Sequence, residues 1–471
     1  MDGRNKSGHD ACGVPSKRIK LEMTHDDSGP VGGNPMNVNI SAANNEDSAD
    51  KTPPDVVVFL SAATRLLFSN GETTRRLVLA VERLGKALGV EVALSVRWGE
   101  VMLRIGEPAT ARLHWIGVSP VGVDMGQVRA ANALFDRLCN GEVGLEAAQA
   151  QLAAIRQSPP VSLLRFAVMA AAGAAALGVI FGAGQWLTLS LIALAAGAGA
   201  VLRRWFATLG DNAFAQPFGA ALLAGVTGAV AARFQIVSMP HLVAVCPCMV
   251  LVPGPHFLNG AIDLARARIA LGACRIGYAS LTTLVISVGL LAGLSLGDLN
   301  LPASSPAGVV PLGYDVIAAG IAVAAYGTFF AMPWRMLPIP IAIGMFAHAS
   351  RWLMIVPGGG SVETGALVAC FLVGAIVTPV ADRLRMPFAA FAFTSVVSLI
   401  PGVYIFRMAS GLLNLIAPGH APSPELLLGT MVDGVTALLI IIAMGFGLIV
   451  PKLVIEYVFP TLTDREPAVG D

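Results

Sequence analysis

The chain has 471 residues, of which 55% are hydrophobic and only 13% charged, with a net charge of +1. Soluble domains average about 25% charged residues, so a wholly soluble protein is excluded. A nucleic-acid partner is excluded too, because so neutral a chain offers no electrostatic footprint.

In chain order, residues 1–54 form a polar stretch rich in Asn, Ser, Gly and Asp. It lacks the apolar core of a signal peptide and reads as a disordered tail, within which Met23 is an alternative start. Residues 55–158 read as a small soluble α/β domain. VVVFLSAATRLLFSNG and ETTRRLVLAVERLGKALG place apolar residues at helical spacing, with Gly89 stopping the second helix. VEVALSVRW, GEVMLRIG and ARLHWIG then alternate as strands joined by glycine turns. Two further helices follow; the first is capped by Asp124 and ends at Asn140-Gly141. Pro159-Pro160 is the linker onward.

Beyond Val161, apolar runs of about 20 residues recur, long enough to cross a membrane. Ten spans are expected, centred on 162–181, 185–202, 213–232, 239–251, 276–296, 313–331, 337–355, 362–380, 388–399 and 426–450. The fourth and ninth are interrupted. VLVPGPHFLNGAID breaks at Pro253-Gly254 and SLIPGVYIFRMASG at Pro401-Gly402, behind matching Met239-Pro240 and Met386-Pro387. Proline removes a helix hydrogen bond and glycine frees the backbone. In lipid such groups survive only inside protein or at a cavity.

Span starts and breaks correspond at an offset of about 150 residues. This predicts two five-helix repeats, 159–300 and 301–455, followed by a tail at 456–471. With an odd number of spans each, the second repeat is inverted relative to the first, an arrangement in which paired breaks mark a transporter's substrate site. Arginines in the short loops put the N-terminal domain and both termini on the cytoplasmic side. Arg203, Arg204, Arg266, Arg268, Arg275, Arg335, Arg383 and Arg385 fall on that side, with Arg233, Arg351 and Arg407 opposite and Lys452 on the cytoplasmic tail.

Substrate contacts are expected from Pro253, Gly254, Asn259, Pro401, Gly402, Tyr404 and Arg407. Asn259 and Asp263 share a helix face one turn apart, and an arginine at a break can clamp a carboxylate. Asp263 and Asp433 are the proton-coupling candidates, because carboxylates at membrane depth commonly relay protons. Asp315 reads as interfacial. His241, His256 and His348 are protonatable groups that more often serve packing. Cys246-Pro247-Cys248 has the thiolate character of a soft-metal site, but no phosphorylation motif or nucleotide loop accompanies it. No metal, cofactor or enzymatic nucleophile is expected, and the six scattered cysteines read as reduced.

Three stretches resemble the threonine/serine exporter family of bacterial amino-acid efflux carriers, in its fused two-module form. They are NGETTRRLVLAVERLGKALGVEVALSV, VLVPGPHFLNGAIDLARARIALG and RMPFAAFAFTSVVSLIPGVYIF. The resemblance spans about 55–450. It implies proton-driven export of small amino acids across the bacterial inner membrane by a ten-span carrier with a cytoplasmic N-terminal domain. The partners are then a small substrate such as threonine or serine, protons and the lipid bilayer; a homo-oligomer is left open. Pro255 and His256 depart from the family's break, and a two-chain relative is linked to dicarboxylate export. A succinate-type exporter and a non-transporting membrane scaffold or sensor are the alternatives.

Overall fold

The computed structural model describes residues 53–107, 111–210, 212–297, 301, 310–416 and 423–459. Most of the expected tails, 1–54 and 456–471, lies outside the described residues. The first part is a helix pair, α1 (Pro54–Ser69) and α2 (Thr74–Ala87), then strands β1 (Val92–Arg97), β2 (Gly99–Ile105) and β3 (Arg112–Val118). The strands form an antiparallel meander in the order β1-β2-β3, with Leu94 opposite Leu103 and Val101 opposite Ile116. Helices α3 (Met125–Cys139) and α4 (Leu145–Arg156) complete it.

Local chemistry sets these boundaries as the sequence suggested. Gly89 follows α2 at φ +72° and Gly141 follows α3 at +74°, in the left-handed region that favours glycine. Asp124 caps α3 by accepting the Gln127 N–H at 2.8 Å. Phe59, Leu67, Phe68, Leu77, Leu103 and Phe135 form the core of this part.

After Pro159-Pro160 the chain is helical: α5 (Leu163–Ile180), α6 (Trp186–Leu209), α7 (Ala215–Arg233), α8 (Pro240–Met249), α9 (Gly254–Ala265) and α10 (Ile269–Ser295). There follow α11 (Leu312–Phe329), α12 (Pro338–Ile355), α13 (Val362–Arg383), α14 (Phe388–Val396), α15 (Gly402–Ile416) and α16 (Pro424–Val458). Seven of these, α5, α6, α7, α10, α11, α13 and α16, are long and apolar enough to span a membrane. Counting each bent pair as one span gives up to nine. The tenth expected span is α12, 18 residues long, whose apolar run is diluted by His348 and Arg351. Leu194, Leu284, Leu438 and Phe446 are exposed along the spans, as lipid-facing surfaces require. This is a multi-pass membrane protein.

The two breaks are real. α8 and α9 meet at 53°, α14 and α15 at 67°. Neighbour relations recur between the two sets of helices: α7 packs along α10 as α13 packs along α16, and α9 folds against α10 as α15 does against α16. Both helices that precede a broken pair end on a left-handed residue, Gln235 (φ 50°) and Arg385 (φ 58°). α5 and α11 join the two sets.

At the end of the chain the structure differs from expectation. α16 runs on to Val458, so Lys452 is a buried helix residue rather than part of a tail. Its ammonium is paired with Glu456 one turn later, which is why a cation can lie there.

A Cβ added to Gly254 would lie 1.6 Å from the Phe393 ring, so this close approach admits only glycine. Gly254→Ala is expected to destabilise the protein by on the order of 3 kcal/mol through overpacking. Adding Phe393→Ala should return most of the lost apparent Tm, as read by thermal size-exclusion in detergent.

Candidate functional site

The site is built where the two broken pairs meet. α8 is weakened by its internal Pro247 and ends at Met249; the chain then runs through Val252 and Pro253 before α9 begins. The freed Met249 carbonyl accepts the Tyr326 Oη–H of α11 at 2.6 Å, deep in the protein. Gly254 at the first break lies under Phe393 of α14, and Gly402 at the second under Met249 of α8. Each break glycine is thus covered by a side chain of the other broken pair, which brings Pro253, Gly254, Pro401 and Gly402 into one region. The packing there is tight. A hollow of about 10 Å³ lies beside Pro247 and Arg203, and a larger groove of about 350 Å³ lies elsewhere, between α3 and Trp334.

Two buried acid–guanidinium pairs flank the breaks. On the first broken pair, Asp263 of α9 faces Arg275 of α10 at 3.4 Å and Arg268 at 3.5 Å. On the second the charges are exchanged: Arg407 of α15 faces Asp433 of α16 at 3.1 Å. Asp263, Arg275 and Asp433 are all at most 3% exposed. Arg407 therefore does not reach outward as a surface residue, and Arg275 belongs to no loop. Tyr404 places its ring 5.9 Å from the Arg407 guanidinium carbon. Phe406 is fully buried packing.

These pairs lie at opposite ends of the helical body. The Asp263 end is held by the start of α2, where residues 71–76 read GETTRR. Asn259 Nδ2 donates to the Gly71 carbonyl at 3.2 Å, and Thr74 Oγ1 donates to Asp263 at 3.0 Å. Arg75 pairs with Glu456 at 3.4 Å, and Arg76 with Asp382 at 2.9 Å while donating to the Met386 carbonyl. Glu456 also meets Arg266 and Lys452. Along α16, Glu456 lies about 35 Å from Asp433 at 1.5 Å per residue. One pair therefore lies under the N-terminal part and the other at the far end.

Asn259 has one more feature: its Oδ1 is buried without a hydrogen-bond partner among the described residues. A buried orphan acceptor is uncommon and marks a place for a donor. Asp315 lies in the first turn of α11, at the end of that span, and is buried against His348 at 2.9 Å. His241 and His256 lie in the broken pair, with His256 edge-on to Tyr278 at 5.3 Å. Sequence reasoning missed Arg275 and Thr74. The signal for Arg275 was present, as a lone arginine inside an apolar run, whereas Thr74 meets Asp263 across 189 positions and leaves no local trace.

Removing one member of a buried pair leaves an uncompensated charge, at about 3–5 kcal/mol. Arg407→Gln and Asp433→Asn are each expected to lower the apparent Tm strongly. The double variant should lose clearly less than the sum, as a double-mutant cycle of melting temperatures would read.

No curated protein and no solved structure matches the chain. Two family models do, in tandem: one for threonine/serine exporters over residues 58–297, and one described as Threonine/Serine exporter, ThrE, over 315–454. The first takes in the N-terminal part together with α5 to α10, the second α11 to most of α16, so the junction falls where the helical pattern restarts. The chain belongs to the threonine/serine exporter family, in a form that carries both modules on one polypeptide.

Proposed function

We propose that the protein exports small amino acids, threonine and serine first among them, by alternating access around the crossed broken helices. The observation that carries this is the pair of buried acid–guanidinium contacts, one at each end, each tying the second half of a broken helix to the next span. An α-amino acid carries the same two charges as such a pair. Inserted between Arg407 and Asp433, its carboxylate takes the guanidinium and its ammonium takes the carboxylate, so no buried charge is stranded. A dicarboxylate would leave Asp433 facing a second anion. That favours the zwitterion. Tyr404 offers a wall beside Arg407, and at the opposite end the orphan Asn259 Oδ1 is a fitting acceptor for the side-chain hydroxyl of threonine or serine when the substrate reaches the Asp263 side.

In this scheme the twelve helices α5 to α16 make ten spans in two inverted five-span repeats, α5 to α10 and α11 to α16, each broken pair making one span. The N-terminal domain and both chain ends face the cytoplasm of a bacterial cell, with the carrier in the inner membrane. The GETTRR segment seals the cytoplasmic mouth and must lift before substrate enters. Opening either pair frees its carboxylate, Asp263 or Asp433, to meet the substrate ammonium while its arginine meets the carboxylate.

Counterflow in proteoliposomes tests this. Labelled threonine should enter vesicles preloaded with threonine or serine and not those preloaded with succinate. Arg407→Gln should reduce the exchange at least tenfold, equivalent to about 1.4 kcal/mol. Exchange with succinate alone would make the protein a dicarboxylate carrier; no exchange with any of the three would favour a scaffold or sensor.

A further inference from the structure

A second buried acid–base pair lies apart from both guanidinium contacts. Asp315, in the first turn of α11, and His348 of α12 meet through Oδ2 and Nδ1 at 2.9 Å. His348 is fully buried and Asp315 is 3% exposed. The other imidazole nitrogen, Nε2, is buried with no hydrogen-bond partner among the described residues. A structural histidine normally has both nitrogens satisfied.

The surroundings are sparse in charge. On α12 itself Arg351 follows one turn later and acts on both Asp315 and His348, and on α15 Tyr404 acts on Arg351. α13 carries Glu363 and Cys370 in its first half and Asp382 and Arg383 at its far end, and α14 has no titratable side chain. α5, packed on α11, bears Arg165, which reaches Thr328 at the opposite end of α11.

We propose that the Asp315–His348 pair is the proton-carrying site of the transport cycle, separate from the residues that hold substrate. This rests on the export reading above. Asp263 and Asp433 contact guanidinium groups directly, which do not release their charge, and Glu456 meets Lys452, Arg75 and Arg266, whereas the direct partner of Asp315 is an imidazole. The buried Glu72 is held by Thr73 and Asn132. The imidazole is the side chain whose charge changes near neutral pH. With Nδ1–H donating to the Asp315 carboxylate, the Nε2 lone pair is left to accept one proton from water, giving imidazolium. The bond to Asp315 is kept throughout. Discharge returns the Nε2 proton to water on the other side, so each cycle moves one proton and consumes nothing else.

The test separates exchange from net transport. Proteoliposomes carrying wild type, His348→Gln or Asp315→Asn are assayed for labelled-threonine counterflow without a pH gradient, and for accumulation driven by one. Both variants are expected to keep at least half of the wild-type counterflow and to lose pH-driven accumulation at least tenfold. A pH-sensitive dye in the lumen should then report no threonine-linked proton movement. Unchanged pH-driven accumulation in either variant overturns the proposal. Parallel loss of counterflow in variants that elute as folded protein overturns it as well, since the pair would then be structural. If His348→Gln does not fold, His348→Asn and Asp315→Asn decide by the same readouts. Wild type without counterflow would instead sink the export reading itself, which is a different outcome.

Discussion

Backbone groups freed at a helix break cannot face lipid, and the arrangement of the helical body follows from burying two such breaks against each other. Met249 is the hinge of this solution. Its carbonyl is satisfied by Tyr326, which comes from the second set of helices, and its side chain covers Gly402 of the other break. Phe393 performs the corresponding task over Gly254. Each break is completed by the other half. That dependence explains why α11 and α14 must lie against α8 and α9, and why two modules that occur in tandem fold as one body.

The second constraint is charge. Buried ions are tolerated only when paired, and here each pair joins the second half of a broken helix to a long span. The order of charges is exchanged between the two halves. The N-terminal part adds weight to one end only. Gly71, Thr74, Arg75 and Arg76 all bond to the helical body there, which makes the structure asymmetric and locks the two parts together. Leu271 of α10 packs into the N-terminal core, while Met125 of α3 packs into the helical one. The lock is therefore apolar as well as ionic.

What was legible in the sequence was local. Pro253-Gly254 and Pro401-Gly402 announced the breaks because proline and glycine act on the backbone within one turn. Gly89, Asp124 and Gly141 marked helix ends for the same reason. Asn259 and Asp263 were legible as neighbours because a helix repeats every 3.6 residues. Partnerships across the fold were not: Asp263 with Thr74, Arg407 with Asp433 and Asp315 with His348 join residues on different helices, and hydropathy carries no information about which span packs on which. Lys452 was misplaced on a tail because a lone lysine after an apolar run looks like a membrane boundary. Its partner Glu456 only reveals itself at helical spacing once α16 is known to continue. The span count was blurred at α12 by the same residues, His348 and Arg351, that make that helix chemically interesting.

The measurement that tests the central claim most directly is a structure of the protein with threonine bound. The amino acid is expected between Arg407 and Asp433, with its carboxylate on the guanidinium and the Arg407–Asp433 contact opened. Threonine bound instead in the groove between α3 and Trp334, with the Arg407–Asp433 and Asp263–Arg275 pairs intact, would contradict it.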